Sequence, residues 1–312
     1  MNRLNPYVPS FGPCVLAMFL VSVFLPACGP ETPEQQAYSQ PDTYVPPKPM
    51  GGGSDAGLMQ GDPCTLWAGI ADQRLITELH QQLSSQYRPV AVMNDLGGNP
   101  NRYTSARLLM FTQVERFRSD QGPMVVECVY TGTQAPAPET EDPNRDLINC
   151  EHVMPRARMV DKNEQATLYS HMQSDIHNLL PSTPEANSGR GSFPFGNVTS
   201  DRNLDYAPST IGNDQSGNRV FEPRRERRGD VARTVLYFSV RWGVDIGADE
   251  EEALRRWNQE DPPDNRERVR NDAVQGLQGN RNPFIDCHDL VDRIDDFRYF
   301  QILDRDESLP TP

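Results

Sequence analysis

NCEHVMP at residues 149–155 is the most informative stretch of the sequence. Two later stretches belong with it, DIHNLLP at 175–181 and EANSGRG at 185–191. A Glu-His pair in the first stretch is followed about 25 residues later by the second, polar stretch. This separation suits two strands that are joined by a loop into a hairpin and continue into a helix. Such a hairpin would turn the carboxylate of Glu151 and the amide of Asn187 toward one ion.

These residue types predict metal chemistry at the hairpin. The carboxylate oxygen of Glu151 and the amide oxygen of Asn187 are hard ligands, suited to Mg²⁺, Mn²⁺ or Ca²⁺. The imidazole of His152 can take a proton from water at neutral pH. With an arginine to stabilise the developing charge, these groups suffice for in-line hydrolysis of a phosphodiester. Taken singly, the glutamate is more typical of a solvated surface and the histidine of a loop, so the hypothesis depends on the cluster.

The chain resembles the bacterial endonuclease I family, periplasmic or secreted nucleases of the ββα-metal (His-Me finger) class. The similar segments are YTSARLLMF at 103–111, VVECVYTG at 125–132, CEHVMP at 150–155, SDIHNLLP at 174–181, EANSGRGSFPFG at 185–196, FEPRRERRGDVAR at 221–233 and QGNRNPFID at 278–286. They follow the order of the family and span roughly residues 64–300.

The resemblance implies a role for each matching residue. His152 would be the general base that activates the attacking water, and Glu151 and Asn187 would bind one Mg²⁺. Arg190 is the candidate for contacting the phosphate, with bracing of the fold as the alternative. Three further residues match the second-strand motif: Asp175, His177 and Asn178. We interpret them as groups that orient His152 and the hairpin, with a structural role preferred for the second histidine.

The sequence departs from the family pattern directly after the Glu-His pair. Arg156 and Arg158 follow in place of more usual uncharged residues, and Met154 replaces tryptophan or valine. No residue matches the family arginine that assists product binding. The residue that assists the transition state therefore stays unassigned by the sequence.

The remaining sequence predicts a helix-rich domain with few strands. Apolar residues at helical spacing and helix-boundary signals predict helices at 65–85, 105–113, 229–242, 250–259 and 265–277. A β-branched and aromatic run predicts a strand at 124–131, before an acidic loop at 134–146. We expect a polar loop before the helix at 229–242, with Asp230 as its cap. Because strands and helices do not alternate, the fold class is α+β, a single nuclease domain built around the ββα-metal motif.

The N-terminal residues predict export from the cytoplasm. Residues 1–27 resemble a lipoprotein signal peptide, in which the apolar run at 15–25 is too short to span a bilayer. The run ends in LPAC, so Cys28 is the candidate lipid anchor, with cleavage of an ordinary secretory signal as the alternative. Residues 28–63 are rich in proline and glycine and predict a disordered tether. The nuclease-like domain is expected at 64–303, followed by a tail at 304–312.

The cysteines agree with an oxidising compartment. Four lie beyond the predicted anchor: Cys64, Cys128, Cys150 and Cys287. An even number predicts one or two disulfides, and three full pairings are open. Their spacings fit no zinc motif.

The net charge of −14 excludes a bulk positive field that would attract nucleic acid. A local phosphate-binding surface is predicted in the segment 219–233, at Arg224, Arg225, Arg227 and Arg228. The alternative is a solvated loop. We expect weak, salt-sensitive binding of DNA, and of RNA as a second substrate, without sequence preference.

Two further function classes stay open, an envelope lipoprotein that has lost activity on a nuclease fold and a phosphodiesterase for small nucleotides. We expect a monomer at the cell envelope outside the cytoplasm, lipid-anchored or secreted, whose membrane contact is made through the lipid alone. The sequence does not identify an inhibitor protein.

Overall fold

Helix α5 (Arg228–Trp242) lies at the centre of the fold. In the computed structural model, which describes residues 63–94, 100–119 and 122–297, every residue of α5 from Gly229 onward is buried. A helix that is buried on all sides belongs to the core. It packs against α6 (Ala248–Glu260) and α1 (Asp72–Gln86). The predicted helix at 229–242 is confirmed.

The start of α5 corrects one prediction. Asp230 is the third residue of the helix, and its carboxylate forms an ion pair with Arg227 instead of capping the helix. The backbone N–H of Gly229 donates to the carboxylate of Asp261, 2.9 Å away. The first turn is therefore satisfied by the residue that follows α6.

The predicted helix at 65–85 forms in two pieces. A 3₁₀ helix covers Pro63–Trp67 and α1 begins at Asp72. Between them Gly69 has a φ of +73°, which a right-handed helix does not allow. The buried residues of α1 are those that the spacing predicts: Leu75, Ile76, Leu79 and Leu83.

The other helices surround these three. They are α2 (Arg102–Leu109), which continues as a π-helical turn (Met110–Val114), α3 (Ala166–Gln173), α4 (Pro184–Arg190), α7 (Asn265–Gln278) and α8 (Pro283–Asp286). The predicted helices at 105–113, 250–259 and 265–277 are confirmed, each with slightly wider bounds.

The first antiparallel sheet consists of β1 (Phe117–Arg118), β2 (Met124–Glu127) and β3 (Gln134–Pro136). The predicted strand at 124–131 is therefore too long. The chain turns after β2, where Cys128 N donates to the Thr133 carbonyl and closes the hairpin. The predicted acidic loop at 134–146 begins with a strand.

Two more sheets follow along the chain. The strands β4 (Asn149–His152) and β5 (Leu179–Ser182) pair antiparallel, as the hairpin prediction requires. The third antiparallel sheet contains β6 (Ser200–Asn203), β7 (Thr210–Asn213) and β8 (Arg219–Glu222). The prediction of a polar loop before α5 is wrong for the residues that form these three strands. The α+β class is confirmed.

One disulfide connects the two ends of the described chain. Cys64 and Cys287 are bonded, with their Cα atoms 5.5 Å apart. Cys128 and Cys150 are free thiols. The sequence predicts one or two disulfides, and the described residues contain one.

All described residues lie in one compact unit. The predicted signal peptide, Cys28, the tether up to residue 62 and the tail at 304–312 lie outside the described residues. Among the residues that the structure describes, no helix is both long and apolar enough to cross a membrane.

Candidate active site

The candidate site is built on the β4–β5 hairpin and α4. In the hairpin Glu151 lies opposite Leu180 and His152 lies opposite Leu179. The chain enters α4 directly after β5, with Thr183 as the N-cap that accepts from Ala186 N. This is the strand, loop, strand and helix order that the sequence predicts.

Glu151 is buried beside one hydrogen-bond donor, Tyr130, and one ion-pair partner, Arg190. Only 3% of its surface is exposed. Its Oε1 accepts a hydrogen bond from the Tyr130 hydroxyl at 2.7 Å and lies 3.4 Å from the Arg190 guanidinium. Burial raises the pKa of Glu151, whereas the positive charge of Arg190 and the Tyr130 hydrogen bond lower it. The carboxylate is thus held in place by groups that favour its charged form.

His152 is held in one tautomer. Its Nε2 lies 2.9 Å from the backbone carbonyl of Gln173. Because a carbonyl can only accept, Nε2 carries the proton in the neutral ring and Nδ1 keeps its lone pair. Burial lowers the pKa of His152 to about 4, and the charges of Arg156 and Arg190 contribute. At neutral pH the imidazole is therefore unprotonated and can accept a proton.

Asn187 ties α4 to β4. Its Nδ2 donates to Asn149 Oδ1 at 3.0 Å and to the Cys150 carbonyl at 3.1 Å. Both amide hydrogens are therefore directed at the strand, and the Oδ1 atom is left as an acceptor.

The side chains on β4 follow the alternation of a strand. Asn149 and Glu151 contact the α4 residues Asn187 and Arg190, respectively. His152 lies at the end of the strand, where its ring centroid is 5.1 Å from that of Tyr103 in α2. The structure thus directs Asn149 and Glu151 at α4, which carries Asn187, and places the imidazole of His152 at the end of the strand.

Arg190 braces the hairpin. It is 1% exposed, and it donates to the carbonyls of His152 at 3.3 Å and Val153 at 2.7 Å. Its guanidinium carbon lies 4.4 Å from the centroid of the Phe195 ring. With so little exposed surface, this side chain occupies the bracing position rather than that of a phosphate contact.

Asn178 bonds to the backbone at the end of the hairpin. Its side chain accepts from Met154 N at 2.7 Å and donates to the Met154 carbonyl at 3.0 Å. The Val153 N–H donates to the Asn178 carbonyl at 3.1 Å and extends the β4–β5 pairing by one residue.

Asp175 and His177 face the core of the domain. The carboxylate of Asp175 accepts from Tyr237, Trp242 and Gln278, at 2.8–2.9 Å. His177 Nε2 contacts the carbonyl of Asn280 at 3.1 Å. Both residues anchor the loop before β5 to α5 and to the end of α7, and the His152 ring is oriented by the Gln173 carbonyl instead.

The predicted arginine surface differs in the structure. Three of its four members form ion pairs with carboxylates of the domain: Arg224 with Glu127, Arg227 with Asp230, and Arg228 with Glu222. Arg225 is exposed, and no described carboxylate pairs with it. Of these four arginines, only Arg225 presents an available guanidinium, because the fold uses the other three.

Arg156 is an exposed cation that follows the end of β4 by four residues along the chain. It begins a 3₁₀ turn (Arg156–Arg158) directly after Pro155 and is exposed. Its charge lowers the pKa values of both Glu151 and His152, although burial is the larger influence on each. Arg158, by contrast, pairs with Glu250 at 2.6 Å. No carboxylate of the described residues pairs with Arg156.

The donor set suits a hard cation. Within the described ranges, no group of three or more His, Cys, Asp and Glu side chains could hold a metal ion. The predicted site uses one carboxylate, Glu151, and one amide, Asn187, with water for the other positions. It fits because the Asn187 nitrogen is committed to β4, so the oxygen is the available ligand.

Sequence reasoning missed the contacts from Tyr130 and Tyr103. Both lie in segments that resemble the family, at 125–132 and 103–111, but an aromatic residue in an apolar run is more typical of the core. The contact between His152 and the Gln173 carbonyl was missed because every residue has a backbone carbonyl, so the residue type does not indicate which one is used.

Residues 74–288 match the Endonuclease I family. This range covers more than half of the chain, and the chain belongs to the endonuclease I family.

Named relatives include nucleases for both nucleic acids. The chain is 37% identical over 139 residues to an extracellular ribonuclease from Bacillus subtilis (strain 168), covering 39% of this chain and 46% of the relative. It is 33% identical over 118 residues to an extracellular deoxyribonuclease from Aeromonas hydrophila, covering 38% of this chain and 51% of the relative. A periplasmic deoxyribonuclease from the same organism is 32% identical over 118 residues, covering 38% of this chain and 49% of the relative. The matches thus span about half the length of each relative.

Proposed function

We propose that this chain is an endonuclease of the ββα-metal (His-Me finger) class. It would hydrolyse phosphodiester bonds in DNA, and in RNA as a second substrate, with one Mg²⁺ per site. The observation that supports the proposal is that the buried carboxylate of Glu151 and the unprotonated imidazole of His152 are consecutive on β4, and that the Asn187 amide contacts the same strand from α4. Mn²⁺ and Ca²⁺ are the alternative ions for the same oxygen ligands.

His152 acts as the general base in this proposal. A phosphodiester that lies across the end of β4 would place an attacking water within reach of the Nδ1 atom. The hydrogen bond from Nε2 to the Gln173 carbonyl keeps the proton off Nδ1. It also stabilises the positive charge that the ring gains when it takes the proton from water.

Glu151 and Asn187 act as the ligands of the cation. Held by these two oxygens, a divalent ion would supply Lewis-acid stabilisation of the charge on the phosphate and the leaving oxygen. Tyr130 and Arg190 keep Glu151 in place, and Asn149 keeps the amide of Asn187 in place. Release of the 3′ oxygen leaves 5′-phosphate and 3′-hydroxyl ends.

Arg156 is the arginine that contacts the substrate phosphate. It is exposed at the strand end, whereas Arg190 donates to backbone carbonyls and is buried. A solvated guanidinium can form the bidentate contact that phosphate favours. Arg190 then positions Glu151 without touching the substrate.

The substrate range is broad because the contacts go to backbone phosphates. Phosphate contacts carry little sequence information and weaken with salt. The names of the relatives, which include a ribonuclease and deoxyribonucleases, favour testing both nucleic acids.

The protein would work as a monomer outside the cytoplasm, anchored through Cys28. Metabolic labelling with a radioactive fatty acid tests the anchor.

The test is cleavage of supercoiled plasmid by the purified chain, with Mg²⁺ alone and with Mg²⁺ plus a chelator. We expect nicked circles that accumulate with Mg²⁺ and disappear with the chelator. A single-stranded RNA and a chromogenic phosphodiester are assayed beside the plasmid.

Each alternative has its own outcome. An inactive envelope protein would leave all three substrates intact at every metal concentration. A small-nucleotide phosphodiesterase would cleave the chromogenic diester and leave the plasmid intact. Nicking that persists in the chelator would contradict the metal ligands proposed here.

A further inference from the structure

Tyr130 touches the carboxylate of Glu151. Its hydroxyl donates to Oε1 at 2.7 Å, and the tyrosine has no exposed surface. A buried hydroxyl that lacks a partner destabilises the fold. Because no solvent reaches the Tyr130 hydroxyl, its hydrogen bond to Glu151 is the interaction that satisfies it.

The segment that carries Tyr130 is itself clamped. The Ser209 hydroxyl donates to the Tyr130 carbonyl at 2.6 Å. Arg224 Nε donates to the preceding carbonyl, that of Val129, at 3.0 Å. The Tyr130 ring packs edge-on against Phe221, with the ring centroids 4.7 Å apart. The contacts from Ser209, which precedes β7, and from Phe221, in β8, thus set where the hydroxyl points.

This arrangement gives the β6–β8 sheet a connection to the candidate site. Glu151 comes from β4, and no strand of the described β6–β8 sheet pairs with β4 or β5. The contact to Glu151 runs from Phe221 in this sheet, and from Ser209 just before β7, through Tyr130. A carboxylate can rotate about its terminal bond, and a donor on one oxygen fixes that rotation and directs the other oxygen.

We propose that Tyr130 is a positioning residue, which fixes the Glu151 carboxylate in the orientation that binds the divalent cation. The inference rests on the proposed function, because it takes Glu151 to be a metal ligand. Outer partners that orient metal ligands influence metal affinity by about 10–100-fold. Tyr130 does not touch the substrate, so its effect falls on binding of the ion more than on the rate at saturating ion.

The test compares the wild-type chain with Tyr130→Phe, which removes one oxygen and keeps the ring against Phe221. Mn²⁺ alone is titrated into the metal-free full chain by calorimetry. Tyr87→Phe is the matched control, because Tyr87 is also a buried tyrosine whose hydroxyl donates to a distant group, the His171 carbonyl at 3.2 Å. We expect about tenfold weaker Mn²⁺ binding for Tyr130→Phe and unchanged binding for the control.

A kinetic measurement separates positioning from general damage. In the plasmid assay, Tyr130→Phe should need about tenfold more Mg²⁺ for half-maximal rate and recover most of the rate at saturating Mg²⁺. Ser209→Ala loosens the same segment while leaving the hydroxyl of Tyr130 in place, and should weaken Mn²⁺ binding by a smaller factor. This variant decides the matter if the Tyr130→Phe chain does not fold.

The outcomes distinguish this inference from the proposed function. Wild-type affinity in a folded Tyr130→Phe chain, while Glu151→Gln abolishes Mn²⁺ binding, overturns the inference and leaves the proposed function standing. Equal weakening in Tyr87→Phe, or unchanged binding in Ser209→Ala when that variant must decide, also overturns it. A wild-type chain that binds no Mn²⁺ overturns both.

Discussion

Burial acts in opposite directions on two neighbouring residues at the end of β4. It raises the pKa of Glu151 and lowers the pKa of His152 to about 4, so it favours the neutral form of each. For His152 the neutral form is the one that a general base needs. For Glu151 the charged form is needed, and Arg190 and Tyr130 lie within contact of its carboxylate to favour it. Burial therefore favours the neutral form that His152 needs, whereas at Glu151 nearby groups must offset its effect on the pKa.

The exposed guanidinium of Arg156 gives a prediction at the residue scale. Arg156→Ala should lower the rate of plasmid nicking by about 10–100-fold at saturating Mg²⁺, because it removes a contact to the developing phosphate charge. Single-turnover kinetics measure the effect. Arg256→Ala, which removes an exposed arginine on α6 that pairs with Glu252, is the control and should keep the wild-type rate. Equal rates for the two variants would contradict the role of Arg156.

His171 gives a prediction about stability and pH. It is 7% exposed, its Nδ1 has no partner in the described structure, and burial and then the Arg102 and Arg241 charges lower its pKa to about 4. Between pH 6.5 and 4 the unfolded chain therefore binds the proton more tightly than the folded chain, so this residue makes the protein less stable as the pH falls.

The variant His171→Gln should remove this dependence. On lowering the pH from 8 to 5, the wild type should lose about 2 kcal/mol of unfolding free energy relative to the variant. Urea unfolding at both pH values measures the difference. Parallel losses in the two proteins would show that the histidine does not titrate as described.

At the scale of elements, the hairpin is stabilised by side chains that bond to backbone. The side chain of Asn178 satisfies both the N–H and the carbonyl of Met154, beyond the last residue of β4. Asn187 does the same for the Cys150 carbonyl from α4. These contacts align two four-residue strands that would otherwise be short for a stable pair.

Removing one of these contacts should destabilise the hairpin. Asn178→Ala leaves two buried backbone groups without partners, and we expect a loss of about 2–3 kcal/mol in unfolding free energy. Urea unfolding measures it, with Asn163→Ala as the control at an exposed asparagine. A loss no larger than that of the control would mean that water or a rearranged chain replaces the contact.

The sequence predicted the elements with a strong apolar period and missed those without one. The bounds of α5, α6 and α7 agree with the predictions because each has apolar residues at helical spacing. The sheet of β6, β7 and β8 was missed because its strands are four residues long and contain Asp, Arg, Asn and Gly. Such strands are specified by their neighbours: Gly212 in β7 leaves no room for a side chain, since an added Cβ would lie 2.1 Å from Val198 Cγ1.

The candidate site was predicted in part. The grouping of Glu151, His152 and Asn187 came from the resemblance to a family and from residue chemistry. The arginines were harder to assign, because residue type does not reveal whether a guanidinium is already paired. Arg190 and three of the four predicted surface arginines, Arg224, Arg227 and Arg228, are used by the fold, through contacts with carbonyls and carboxylates that depend on how the chain packs.

At the scale of the whole molecule, a net charge of −14 coexists with a proposed polyanionic substrate. Many arginines pair with carboxylates inside the domain, as Arg233 does with Glu267 at 2.5 Å. Binding must therefore depend on a few local cations such as Arg156 and Arg225. This agrees with the weak and salt-sensitive binding that we expect.

The disulfide between Cys64 and Cys287 acts on the molecule as a whole. It joins residues 223 positions apart, so it restricts the unfolded chain strongly. Replacing both cysteines by serine should lower the unfolding free energy by about 2–5 kcal/mol. Thermal unfolding measures the loss, and nicking at low temperature should persist because the bond lies outside the candidate site. An unchanged unfolding temperature would contradict this account.

The role of His152 as general base is tested by the rate at which the His152→Ala variant nicks plasmid in saturating Mg²⁺. Thermal unfolding confirms that the variant is folded. Loss of a general base predicts a fall of about 10²–10⁴-fold, with His80→Ala, a histidine that contacts the Val240 carbonyl in α5, close to wild type. A folded His152→Ala chain that nicks plasmid at the wild-type rate would contradict the claim that this imidazole activates the attacking water.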